Sequence, residues 1–107
     1  MPLEYSYEDR LFRVDVDVLE TFVRGSSEHR ILLAWLAVQI FPVARGQLAL
    51  RIRSAPQGTP LYEMVPKPKV TTGLRAAVQL NISPEGEPVP REFFSHVAKL
   101  CGRAMAA

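Results

Sequence analysis

Asp15 and Asp17 stand two apart in the alternating run LFRVDVDV, so on a strand both carboxylates project from one face. Such a pair could hold a divalent cation or divide acid and base work. No third carboxylate lies close by in sequence, which favours the plainer reading of cross-strand pairing with Arg51 and Arg53. His29 and His96 are the only histidines. They share no HExxH or H-x-x-x-H spacing, and each falls where an ordinary surface role suffices. Cys101, the single cysteine, lies on an apolar helical stripe and reads as a small core hydrophobe, not a nucleophile. The glycines form no dinucleotide or phosphate-loop pattern. The sequence therefore assigns no catalytic residue, no cofactor and no metal.

Charge is the next chemical signal. The net charge is only +2, but it is unevenly spread. Acids crowd residues 1–28, whereas residues 29–83 hold Glu63 alone against seven bases. Arg51, Arg53 and Arg75 on a sheet face, with Lys67 and Lys69 on a loop, form a candidate contact for an anion or nucleic acid. The difficulty is aromatic placement. Sheets that read single strands stack bases on exposed rings, and no aromatic lies within 47–53 or 74–82.

The elements that must position these residues centre on residues 31–44, ILLAWLAVQIFPVA, which carry no charge and one polar side chain, Gln39. Leu, Ala and Trp favour helix there, Ser26 or Ser27 can cap it, and Pro42 ends it at Phe41. A helix over 27–41 without a polar face needs cover on two sides. The expected cover is the sheet below and a second copy above, with Leu32, Trp35, Leu36, Ile40 and Phe41 making the self-association surface. The run is too short to span a bilayer.

Strands are expected over 11–18, where Phe12, Val14, Val16 and Val18 share a face, and over 47–53 and 74–82, with a further short strand at LYEMV. A helix over 16–24 competes with continuation of the first strand. Residues 1–9 read as a flexible arm. After Pro90 an amphipathic helix follows, with Phe93, Val97, Leu100 and Ala104 as its stripe. The 107 residues make one α+β domain: a three- or four-stranded, mostly antiparallel sheet with two helices packed on one face.

The function this implies is non-catalytic protein–protein interaction or assembly, through self-association as a homo-oligomer, a dimer first. The alternatives are nucleic-acid binding on the basic sheet face, or a small enzyme or ligand-binding protein whose site forms between subunits. A single cysteine and an acidic, polar start without a signal peptide suit the cytoplasm, and no membrane contact is expected.

Overall fold

In the computed structural model, residues 3–23, 26–66 and 78–105 are described. They build two four-stranded sheets and one α-helix. This corrects the expectation of one sheet carrying two helices.

The first sheet is an antiparallel meander of β1 (Leu3–Tyr7), β2 (Arg10–Asp15), β3 (Val18–Val23) and β4 (Ser26–Leu32). Within the expected flexible arm, residues 3–7 form strand β1. Tyr5 explains why: its ring is buried, stacks on Phe12 across the pair at 5.6 Å, and meets Phe93 of the helix at 5.6 Å. Burial pushes the Tyr5 hydroxyl up to about 12. Two-residue turns, Glu8-Asp9 and Val16-Asp17, join the first three strands. Phe12 and Val14 of β2 point inward, as do Leu19 and Thr21 of β3. The inward phase thus switches from even to odd residues across the second turn.

The second sheet has the order β7-β5-β6-β8, from β5 (Leu36–Pro42), β6 (Leu48–Ser54), β7 (Tyr62–Met64) and β8 (Val78–Ile82). All its pairs are antiparallel except β5 with β7. The predicted helix over 27–41 is instead β4, a 3-10 turn at Leu33–Trp35, and β5. The physical reason lies in burial. β5 is central, and Leu36, Val38 and Ile40 on one face and Ala37 and Phe41 on the other are all buried. A strand covered on both faces shows no alternation, so its apolar run looks like a buried helix. The β-formers Val38, Ile40 and Phe41, paired on both sides, outweigh the helix preference of Leu and Ala.

The strand expected over 47–53 and the short one at LYEMV are present as β6 and β7. Of the strand expected over 74–82, β8 covers 78–82, and residues 74–77 lie outside those described. A 3-10 turn at Pro84–Gly86, capped by the Ser83 hydroxyl, leads into α1 (Pro88–Cys101) and makes one bent helical segment. Gly102, at φ 69°, ends α1 with a left-handed residue that glycine adopts without a side-chain clash.

One buried cluster draws on both sheets and α1. Phe93 and Phe94 meet edge to face at 4.9 Å; Phe93 reaches Tyr5 of the first sheet and Phe94 reaches Tyr62 of the second. At the far edge, Tyr7 donates its hydroxyl to the Asn81 carbonyl and Arg10 donates to the Gln79 carbonyl. These bonds close the outer edge of β8, which an uncovered edge strand would offer to another chain.

Candidate functional site

The site grows from the 3-10 turn Leu33–Trp35, which carries the chain from one sheet to the other. The Leu33 amide donates to the Asp17 carbonyl at 2.8 Å, so the Val16-Asp17 hairpin tip lies against the turn. On its other side the Ala55 amide donates to the Trp35 carbonyl at 2.8 Å. Beyond Gly102 the chain doubles back and sends Arg103 into the gap. Its guanidinium donates to the carbonyls of Leu33 at 2.7 Å, Leu36 at 2.5 Å and Thr59 at 2.6 Å. One forked cation thus satisfies three backbone acceptors and fixes the turn, the start of β5 and the loop before β7.

Around this framework the surface is apolar. Val16 is 91% exposed, Leu100 66%, Trp35 51% and Leu32 43%. A cleft of about 440 Å³ opens between Val16, Leu33, Ala34, Leu100 and Cys101, with Asp17, Gln57, Gly58 and Arg103 at its polar margin. Beside it, Trp35, Ser54, Ala55 and Pro56 line a second, mostly apolar hollow of about 330 Å³. Val16 sits at φ 57°, a conformation that is an outlier for a β-branched side chain.

The residues singled out in the sequence separate. Leu32 and Trp35 flank this end face, whereas Leu36 and Ile40 lie in the core and Phe41 is covered by Arg51, whose guanidinium sits 5.0 Å from the ring centre. Arg51 also donates to the Gln79 side chain at 3.2 Å. Arg53 is half-buried opposite Ala37, with its Nε enclosed and without an acceptor among the described residues. Lys67, Lys69 and Arg75 lie outside the described residues. Asp15 ends β2 of the other sheet and Asp17 lies in the turn after it, and neither forms an ion pair among the described residues. The anticipated pairing of these aspartates with Arg51 and Arg53 is therefore absent there, because β2 and β6 are not neighbours.

Glu20 takes the role expected of the aspartates. It lies between Arg13 and Arg30 on adjacent strands, each 3.1 Å away. The Arg13 hydrogen bond, assisted by both positive charges, holds its carboxyl below the usual carboxylate range. With Glu4 opposite Arg13, the outer face of the first sheet reads Glu4, Arg13, Glu20, Arg30 across four strands.

His29 is half-buried on β4, and His96 faces solvent on α1 with Glu92 3.8 Å away. Cys101 is half-buried at the apolar cleft. Among the described residues no three His, Cys, Asp or Glu side chains converge to hold a metal ion, and no helix is long and apolar enough to cross a membrane. Val16, Leu100 and Arg103 were not singled out as parts of an interaction surface in the sequence. The sequence hides the Val16 turn, because the alternation from Phe12 runs through it to Val18, and Leu100 is the exposed member of the apolar stripe of α1.

No protein-family model matches this chain, and no curated protein or solved structure matches it either.

Proposed function

We propose that this is a non-catalytic interaction protein that docks onto another protein chain through its apolar end. The observation that carries the reading is the clustering of Val16, Leu32, Trp35 and Leu100, all exposed, around one 3-10 turn. Scattered apolar side chains are normal on a protein surface, but a contiguous group beside a cleft is the usual mark of an interaction site. Trp is also enriched among residues that dominate binding energy. The framework beneath is stiffened by Arg103, so the surface is presented in one shape rather than assembled on contact. The nucleic-acid reading has weaker support, since Arg51 is already engaged by Phe41 and Gln79.

A photo-crosslinking residue in place of Ala34, at the centre of the end face, tests this in cells producing the protein. The expected result is one discrete covalent adduct that disappears when Leu100→Glu is added and is absent when the probe replaces Glu92. Adducts from neither position, or equal adducts from both, would overturn the reading.

A further inference from the structure

We infer that β4 is the edge through which two copies of this chain pair, antiparallel about a two-fold axis at His29, joining their first sheets into one of eight strands. This surface is a strand edge, and the inference stands apart from the docking reading of the apolar end.

The argument starts from where the backbone groups of β4 go. The Leu33 amide donates to the Asp17 carbonyl, and the register continues from there through Leu19–Ile31 and Thr21–His29. In an antiparallel ladder alternate residues turn both backbone groups to the same neighbour. His29 and Ile31 therefore bond to β3. Glu28, Arg30 and Leu32 direct theirs to the other side, where no strand lies among the described residues. The other sheet edges offer less. Tyr7 and Arg10 close β8. β7 has three residues, and the Leu61 amide beside it donates to the Ala104 carbonyl. β1 has five residues and no base to meet its one acid, Glu4.

β4 differs in length and in the order of its charges. Its seven residues, SSEHRIL, set an acid and a base on either side of the midpoint, His29. Pairing with a second copy must bring the open, even-numbered residues opposite one another. An axis at His29 does so, overlaps all of Ser26–Leu32, and places Arg30 of each copy opposite Glu28 of the other. An axis at Arg30 would set two arginines together, and one at Ile31 would shorten the overlap to residues 30–32. Charges on an edge commonly discourage pairing, but here the two signs match their own reversed copy, which selects one register. The first sheet points the same way. Its outer row, Glu4, Arg13, Glu20 and Arg30, alternates in sign across four strands, and Glu28 of a second copy carries the alternation one step further. Pairing of the same edge on both copies closes at two chains.

The test uses cysteine as a ruler, in the full chain with Cys101→Ser. At the axis, position 29 of each copy would lie about 4.5 Å apart between Cα atoms, within reach of a disulfide. Position 32 of each copy would lie about 20 Å apart along the strands. Under mild oxidation His29→Cys should give a covalent dimer, whereas Leu32→Cys, though exposed, should not. Without added cysteines, the sedimenting mass should rise with concentration toward twice the 12.0 kDa of one chain. Exchange of the Arg30 and Leu32 amides should slow over the same range, with that of Ile31 unchanged. Glu28→Arg should weaken association about ten-fold by setting bases opposite one another. A monomer at every concentration, or a disulfide formed at position 32 as readily as at 29, would overturn the proposal.

Discussion

Val16 shows how much one residue can reveal when its backbone and its side chain are read together. The first central position of a two-residue hairpin turn with φ above zero is the place of glycine in the primed turn family. Valine there carries the left-handed cost of roughly 1–2 kcal/mol, and part of any gain on replacing it is lost to the greater unfolded freedom of glycine. Val16→Gly should therefore stabilise the monomer by about 0.5–1 kcal/mol, seen as a higher urea midpoint with an unchanged slope. A loss of stability would mean that Val16 makes contacts its exposure does not suggest. Tyr62 is the opposite case, a buried side chain with a fixed polar partner. Its hydroxyl donates to Glu87 Oε2 at 2.7 Å, and Glu87 is also held by Arg91 four residues on. Burial first, and then the neighbouring carboxylate, keep the phenol protonated far above its ordinary range. Tyr62→Phe should cost about 1–2 kcal/mol in chemical denaturation, because a buried carboxylate oxygen loses one of its donors. Neither residue could be assigned its role from sequence. The apolar–polar alternation that begins at Phe12 runs through the Val16 turn to Val18 without a break, and the Tyr62–Glu87 contact joins positions 25 apart.

Elements were legible where one face meets water. In β6 the inward set Leu48, Leu50 and Ile52 alternates with Arg51 and Arg53, and β8 repeats the pattern with Val78, Leu80 and Ile82. The stripe of α1 through Phe93 and Val97 is equally plain. β5 was not legible, since both of its faces are covered and the period-two signal vanishes. The first sheet gave an ambiguous signal for another reason: β4 begins with the polar stretch SSEHR, which also suits a helix start. What secures that sheet is its outer ladder, with Glu20 between Arg13 and Arg30. The Glu20 carboxyl is depressed in the folded chain below its ordinary value of 4.5. Its contribution is therefore full above the unfolded value and is lost as pH falls through the lower, folded one. Glu20→Gln should be less stable than the parent at pH 7, and the two should converge as the solution is acidified well below 4.5. Urea titrations at a series of pH values measure this. A gap that stays constant with pH would assign the loss to packing instead of charge.

For the whole molecule, the question is what holds two separately hydrogen-bonded sheets in one body. The shared apolar cluster supplies most of the driving force, and its members could be guessed from hydropathy alone. The orientation of the sheets could not, because it is set by a few polar bridges between distant parts of the chain. Tyr7 and Arg10 tie the first sheet to the edge of β8, and Arg103 ties the chain after α1 to the turn between the sheets. Such links leave no periodic trace in sequence. Arg103 bonds to carbonyls, so no acidic partner signals it either. The end face depends on this link, since the Leu33 and Leu36 carbonyls begin and follow the turn that carries Trp35. Arg103→Ala would strand the Leu33, Leu36 and Thr59 carbonyls, and hydrogen bonds from charged donors contribute about 1.5–3 kcal/mol each before water returns to the opened site. Because Leu33 is buried while the cleft beside it is open, water can re-solvate part of what is lost. The expected net cost is about 2–4 kcal/mol, with Arg103→Lys recovering only part of it because an ammonium lacks the planar fork. Hydrogen exchange locates the effect. Faster exchange should be confined to amides bonded around the turn, those of Leu33, Val38, Ala55 and Leu61, with the β2–β3 ladder protected as in the parent. Uniform acceleration across both sheets would show that Arg103 supports global stability alone. Acceleration confined to the turn would show that it sets the shape of the end face, and the crosslinked adduct from position 34 should then be lost in the same variant.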